Sequence, residues 1–193
     1  MAAAAAPYGM IPVENQGAAY NTQGFETVTI LDGYATSIFY GDVVKLAADG
    51  TLQKDTGTTT LTPYGLFLGC RYINPSLGYI LDSQCWTASV TTGYTVYARI
   101  LTFPWGVFQI QADGSVPLTA LGDNAAIVQT AGNTTYPQKS RNALNSSSIN
   151  TTSSLPLRIV GFVESPNSAA GDAFTDCLVV FNNNQQLFTT TGA

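Results

Sequence analysis

Short apolar runs, each closed by a turn, constrain the fold of this chain more than any other feature of its sequence. Residues 26–31 alternate polar and apolar side chains and end at Asp32-Gly33. Residues 43–46 and a run that resumes at Leu52 flank an Asp49-Gly50 turn, which is typical of a β-hairpin. Further strands are predicted at 66–72, 85–90, 94–101, 107–111, 157–163 and 177–181.

Helical periodicity is missing from the same sequence. No window repeats its apolar residues with a period of 3.6 over three turns. Many short strands with turn punctuation predict an all-β fold, a compact antiparallel β-barrel or sandwich. A length of 193 residues suits one domain. We therefore expect a single all-β domain over residues 26–193.

Two segments depart from the strand pattern. Residues 1–25 are too irregular for core strands and are expected to form an extended N-terminal arm. Residues 132–156 contain 14 Ser, Thr or Asn among 25 residues, which predicts a long projecting loop or partner-binding arm. The first ten residues have no basic start, so no signal peptide is expected, and no stretch approaches the length of a membrane span.

The ionisable residues exclude several classes of function. The chain has 7 Lys and Arg, 12 Asp and Glu and no histidine, for a net charge of −5. Without histidine it cannot build a Ser-His-Asp triad, a Cys-His pair or a His-ligated zinc site. The acidic balance and scattered bases argue against nucleic acid as a partner, because nucleic-acid binding needs a basic stripe.

The acidic residues give no sign of catalysis or metal binding. Most aspartates lie beside a glycine, where turn chemistry explains them; these are Asp32, Asp42, Asp49, Asp113, Asp123 and Asp172. A glycosidase-like carboxylate pair from the remaining acids stays open as a minor alternative; these acids are Asp55, Asp82, Asp176, Glu14, Glu26 and Glu164. No metal-loop or phosphate-loop motif is present, so we predict a protein that is not an enzyme and has no cofactor, metal or small-molecule substrate.

Three cysteines, Cys70, Cys85 and Cys177, are widely spaced with no CxxC pair. We interpret them as small buried hydrophobic residues, with one disulfide plus a free thiol as the alternative. Among the aromatic residues, Trp86 lies within a predicted strand and is assigned to the core.

Aromatic and basic residues outside the predicted strands are candidates for contacts with a partner, because Tyr, Trp and Arg are enriched in interfaces. The residues of the arm are candidates because their surroundings are too irregular for core strands. Trp105 is a candidate because it follows Pro104 in a predicted apolar turn, and the two bases are candidates because they lie in the polar loop. The partner-binding candidates are Tyr8, Met10, Tyr20, Trp105, Lys139 and Arg141.

Several short motifs occur in order along residues 41–182: GDVVKLAADGT at 41–51, GLFLGCRY at 65–72, QCW at 84–86, FQIQADGS at 108–115, LRIVGF at 157–162 and a late GD at 171–172. In these motifs the chain resembles the capsid decoration (cement) or head-associated virion proteins of tailed phages, including marine and cyanobacterial ones.

The resemblance implies a non-enzymatic all-β protein on the capsid exterior, assembled in the host cytoplasm. It would bind the major capsid protein and copies of itself as a dimer or trimer, and it would stabilise the shell by bridging neighbouring capsomers. A carbohydrate-binding module of a phage tail or fibre is the alternative, with Trp105 and neighbouring tyrosines as a stacking platform. A β-fold glycan hydrolase is a third possibility.

Overall fold

A computed structural model describes residues 4–15, 24–102 and 106–185. Within these ranges the chain forms 15 strands and two short 3₁₀ turns, at Leu118–Ala120 and Ser146–Ser148. The strands are β1 (Ile11–Asn15), β2 (Gly24–Ile30), β3 (Ile38–Phe39), β4 (Val43–Leu46), β5 (Leu52–Lys54), β6 (Gly65–Ile73), β7 (Ile80–Ser83), β8 (Cys85–Trp86), β9 (Val96–Thr102), β10 (Gly106–Gln111), β11 (Asn124–Ala125), β12 (Ile127–Val128), β13 (Ala143–Leu144), β14 (Leu157–Phe162) and β15 (Asp176–Phe181).

Five strands close into a barrel in the order β4-β5-β2-β9-β6, because β4 also pairs with β6. Strand β7 extends the sheet beyond β6. The β4–β5 hairpin forms around the turn at Asp49-Gly50, as predicted. All these pairings are antiparallel except β2–β5, which is parallel at Ile30 and Leu52.

A second sheet packs beside the barrel in the order β1-β10-β15-β14-β11, and all its pairings are antiparallel. Two small ladders, β12–β13 and β3–β8, complete the fold. The prediction of an all-β architecture is therefore confirmed. Within the described ranges, no helix is long and apolar enough to span a bilayer.

The barrel strands are buried on both faces where they meet the second sheet. Successive residues of a strand point to opposite faces, and so Val43 packs in the core between barrel and sheet while Val44 packs inside the barrel. Likewise, Leu66 packs in the core between barrel and sheet, while Phe67 packs inside the barrel. This explains why these strands contain adjacent apolar residues, and each such side chain contributes about 1.5–3 kcal/mol when fully buried.

Trp86 lies inside the barrel with no exposed surface, which confirms its assignment to the core. Its ring contacts Tyr72 edge to face at 5.6 Å. The predicted strand at 85–90 is shorter in the structure, because β8 ends at Trp86 and Ser89 adopts a positive φ of 61° in the turn that follows. All three cysteines are buried and unpaired, which confirms their interpretation as core residues.

The predicted extended N-terminal arm is docked on the body over residues 4–15 rather than free. Strand β1 pairs with β10 at the edge of the second sheet, since backbone hydrogen bonds and core packing are both available there. Ahead of it, the Ala6 N–H donates to Gln111 Oε1 at 2.8 Å, and the Gln111 amide donates to the Ala4 carbonyl at 3.2 Å. Residues 1–3 and 16–23 of the predicted arm lie outside the described residues.

The predicted long loop at 132–156 is irregular over most of its length, but it is anchored near its middle rather than projecting freely. Strand β13 pairs with β12, and Leu144 is buried in the core between barrel and sheet. The Asn142 side chain is fully buried as well. Polar residues satisfy the turns around this short strand, so a Ser, Thr and Asn-rich composition is compatible with a packed segment. Tyr136, near its start, remains 84% exposed.

Candidate functional site

The outer surface of strands β6, β7 and β9 carries a row of aromatic and charged side chains, here called the barrel face. Tyr97 on β9 lies opposite Arg71 on β6, and Arg71 lies opposite Asp82 on β7. Strand alternation points Tyr97 and Arg99 outward while their neighbours fill the barrel. Tyr97 is 47% exposed and Ile80, at the start of β7, is 63% exposed.

Two adjoining depressions cover the barrel face. One, of about 290 Å³, is lined by Arg71, Tyr72, Ile73, Ile80, Tyr94, Thr95 and Tyr97. The other, of about 360 Å³, is lined by Thr27, Arg71, Tyr97 and Arg99. Arg71 and Tyr97 border both, so the depressions form one continuous surface.

Gly69 forms a bulge in β6 beneath the barrel face. It is the residue of β6 paired with Arg99, at a register shift in the β6–β9 ladder, and it has no side chain to fill that position. Its φ of +140° favours glycine, and a Cβ there would lie 2.7 Å from the Ser83 carbonyl oxygen. Glycine at this bulge therefore lets β6 approach the backbone at the end of β7 closely.

The two arginines of the barrel face differ in their partners, because, among the described residues, Arg71 pairs with a carboxylate and Arg99 does not. Arg71 Nε and Nη2 each donate to Asp82 at 3.0 Å, and this hydrogen bonding holds the pKa of the Asp82 carboxyl below its usual value. Arg99 forms no hydrogen bond or ion pair with any described residue, although its charge also acts on Asp82. Its guanidinium is free to take a planar acceptor from outside, which is the geometry arginine binds best.

Two of the candidates predicted from sequence lie in the N-terminal segment and are directed inward. Met10 has no exposed surface and packs in the core between barrel and sheet, so the expectation that it contacts a partner is wrong. The Tyr8 hydroxyl donates to Asp176 Oδ1 at 2.8 Å and accepts from Gln109 Nε2 at 2.8 Å. Burial, followed by its hydrogen bond to Asp176, raises the pKa of Tyr8.

The two basic candidates remain on the surface. Lys139 and Arg141 are exposed, and neither side chain forms a hydrogen bond or ion pair within the described part of the chain. Lys139 is held through its backbone, which bridges to Tyr40. The segments themselves adjoin, because Gly9, between Tyr8 and Met10, contacts Ser140 and Asn142 on either side of Arg141, but the contact is made through Gly9 rather than through the side chains of Tyr8, Met10 or the two bases. The other two candidates, Tyr20 and Trp105, lie outside the described residues.

All three aspartates that do not lie beside a glycine have structural partners. Asp82 pairs with Arg71, and Asp176 accepts from Tyr8. Asp55 is 1% exposed, with its carboxylate accepting from the Gly57 and Thr62 N–H groups and lying 3.7 Å from Lys45 Nζ. Each of these carboxylates is therefore engaged by a partner within the fold.

Sequence reasoning missed the barrel face and a buried polar cluster. The alternation along 96–99 indicates that Tyr97 and Arg99 point outward together. The sequence of this one strand does not indicate which other strands lie beside it, so the rest of the barrel face could not be predicted. The cluster joins Asp42, Lys54 and Asn142. Asp42 does serve its predicted turn, since it accepts from the Phe39 N–H at 2.9 Å, but it also pairs with Lys54. Asn142 is 100 residues away in the chain, so no sequence pattern indicated it.

Comparison with known proteins gives no match to a family model, a curated protein or a solved structure.

Proposed function

We propose that this protein is a non-enzymatic structural component of a phage virion, a decoration protein that binds the outer capsid shell and stabilises it by bridging neighbouring capsomers. The observation that carries the proposal is the barrel face, a continuous exposed aromatic surface on a rigid all-β body. The order of short motifs along residues 41–182 supports the same assignment.

The composition of the barrel face suits protein binding. Tyr and Arg are the residue types that dominate binding energy in interfaces, and here Tyr94, Tyr97 and Arg99 lie around the depressions. Exposed apolar residues continue the surface at the β6–β7 turn, where Leu77 and Tyr79 are more than half exposed. Contiguous exposed apolar surface marks interaction sites on soluble proteins.

The partners proposed are the major capsid protein and further copies of this chain as a dimer or trimer, with the protein on the virion exterior after assembly in the host cytoplasm. Arg99 favours a partner surface that carries negative charge, because it is an unpaired cation on a chain of net charge −5. An acidic or carbonyl-rich patch on the shell would complement it.

Reassociation with shells tests the proposal. Purified protein is mixed with phage particles from which it has been removed, and the bound fraction and the heat stability of the particles are measured. The wild-type protein should restore stability, and Tyr97→Ala and Arg99→Ala should bind at least tenfold more weakly. Leu118→Ala, an exposed residue away from the barrel face, is the matched control. Absence of the protein from purified virions, together with unchanged particle stability, would overturn the proposal.

A carbohydrate-binding role is the second candidate, favoured by one observation. Tyr94 and Tyr97 are exposed beside a shallow depression on a sheet surface, which is an arrangement on which sugar rings can stack. A glycan array separates the two functions. Binding abolished by Tyr97→Ala would support the carbohydrate role, and the absence of any signal above background would remove it.

A further inference from the structure

Lys54, Asp42 and Asn142 meet in the interior next to the barrel. Lys54 ends strand β5, Asp42 lies in the turn before β4, and Asn142 directly precedes β13. Asp42 and Asn142 have no exposed surface, and the Lys54 side chain is 9% exposed. One Asp42 carboxylate holds both neighbours: Oδ2 lies 2.9 Å from Lys54 Nζ, and Oδ1 accepts from Asn142 Nδ2 at 3.1 Å.

The carboxamide of Asn142 is held in a single orientation. Its Oδ1 accepts the backbone N–H of Thr130 at 3.0 Å, while its Nδ2 donates to Asp42. The backbone is fixed on both sides, because the Asn142 N–H donates to Ser140 Oγ at 3.1 Å and the Asn142 carbonyl accepts from the Gly9 N–H at 3.2 Å. The N-terminal segment thus helps to enclose the cluster.

This arrangement presents an amine, a carboxamide and a shared carboxylate; the carboxamide and the carboxylate have no exposed surface, while Lys54 also borders an open depression of about 280 Å³. The amine is a nucleophile when it loses its proton, and the carboxylate contacts both the attacking nitrogen and the nitrogen that would leave. The Thr130 N–H is directed at the carbonyl oxygen, where negative charge would develop during attack. We propose that Lys54 and Asn142 form an intramolecular isopeptide bond after folding, with Asp42 as the proton carrier.

The reaction balances without any further reagent. Asp42 takes a proton from the Lys54 ammonium, and the amine lone pair attacks Asn142 Cγ to give a tetrahedral intermediate whose oxyanion accepts from Thr130 N–H. Asp42 then passes protons from the attacking nitrogen to Nδ2. The Nζ–Cγ bond has formed, the Cγ–Nδ2 bond breaks, and nitrogen leaves as ammonium. Asp42 ends as a carboxylate, and no group is oxidised or reduced.

The bond would link strand β5 of the barrel to the residue that precedes β13, which is one strand of the small β12–β13 ladder. It closes a covalent loop from residue 54 to residue 142, which restricts the unfolded chain far more than the native one. The inference does not depend on capsid binding, because it concerns chemistry within one chain.

Intact mass under denaturing conditions tests the proposal. The full-length protein should be lighter than its sequence by one ammonia, and a proteolytic digest should contain a branched peptide joining Lys54 to Asn142. Lys54→Arg keeps the ion pair but supplies no amine nucleophile, and Asp42→Ala removes the proton carrier. Both variants should have their full sequence mass. Lys45→Arg, which alters the other buried-carboxylate contact, should still lose ammonia.

The wild-type result decides the question even if a variant fails to fold. A full sequence mass after prolonged incubation of the folded protein overturns the proposal. Ammonia loss that persists in Lys54→Arg, or that maps to peptides other than those with Lys54 and Asn142, also overturns it. In the confirming case, folded Lys54→Arg should melt several degrees below the wild type.

Discussion

The Tyr8 hydroxyl donates a hydrogen bond of 2.8 Å to Asp176, across 168 residues of sequence. This contact fastens the N-terminal segment to the start of β15, next to the β1–β10 pairing. The segment expected to reach out towards a partner is therefore part of the body over residues 4–15, and its removal would expose the core that Met10 fills.

We expect Tyr8→Phe to lower the free energy of unfolding by about 1–3 kcal/mol at pH 7, because it leaves Asp176 and Gln109 without the hydroxyl. Urea unfolding of variant and wild type measures the difference. No change would show that water replaces the hydroxyl at no cost.

The same tyrosine makes stability sensitive to alkali. Its pKa is raised above the ordinary value of 10.0 by burial and by Asp176, so the folded protein holds a proton that the unfolded chain releases. The stabilisation of the fold by the protonated Tyr8 hydroxyl is fully present below pH 10, where the tyrosine of the unfolded chain is also protonated. It is lost as the pH rises above 10. Between pH 9 and 11 the wild type should therefore lose more stability than Tyr8→Phe, as measured by thermal melting. Equal losses in the two proteins would contradict this assignment.

Met10→Ala should destabilise the protein by about 2–5 kcal/mol, because it leaves a cavity between the barrel and the second sheet. Val13→Ala, at a half-exposed position of the adjoining strand, is the matched control and should change stability by less than about 1 kcal/mol. Chemical denaturation compares the two variants. A small effect of Met10→Ala would mean that the N-terminal segment is not docked in solution.

Gly69→Ala should lower the melting temperature and weaken ligand or partner binding at the barrel face. The new Cβ would lie 2.7 Å from the Ser83 carbonyl oxygen, and φ of +140° is strained for alanine. Gly78→Ala, at φ of +70° in the left-handed region and with open space around its Cβ position, is the control for mild backbone strain without a clash. Similar melting temperatures for the two variants would remove the clash from the explanation.

The three cysteines should resist alkylation in the folded protein. Burial raises the pKa of the Cys70 and Cys177 thiols to about 12, and Cys85 is buried beside Cys70. Because thiolate is the reactive form, iodoacetamide at pH 8 should add no label until urea unfolds the chain, after which three labels should be added. Mass spectrometry counts the labels. Rapid labelling of the folded protein, or a missing label after unfolding, would contradict the buried, unpaired state.

The strand pattern was predictable because it depends on local chemistry. Alternation and Asp-Gly turns placed β2, β4, β5, β6, β9, β10, β14 and β15 within a few residues of their observed bounds. The two-residue strands β3, β11, β12 and β13 were not predictable, since two paired residues leave no periodic signal. The strand β1 was missed because its residues Ile11–Asn15 include a proline and are stabilised by pairing with β10, a partner distant in sequence.

The sequence by itself determined the all-β class, the burial of Trp86 and the cysteines, and the local turn contacts of Asp42, Asp49 and Asp172. These follow from side-chain volume, hydrophobicity and the backbone preferences of neighbouring residues. Only the tertiary structure decided that Met10 is core, that Tyr97, Arg71 and Asp82 form one row, and that Asp42 joins Lys54 to Asn142. Strand register and barrel closure bring these groups together, and both depend on contacts between residues far apart in the chain, which no local pattern encodes.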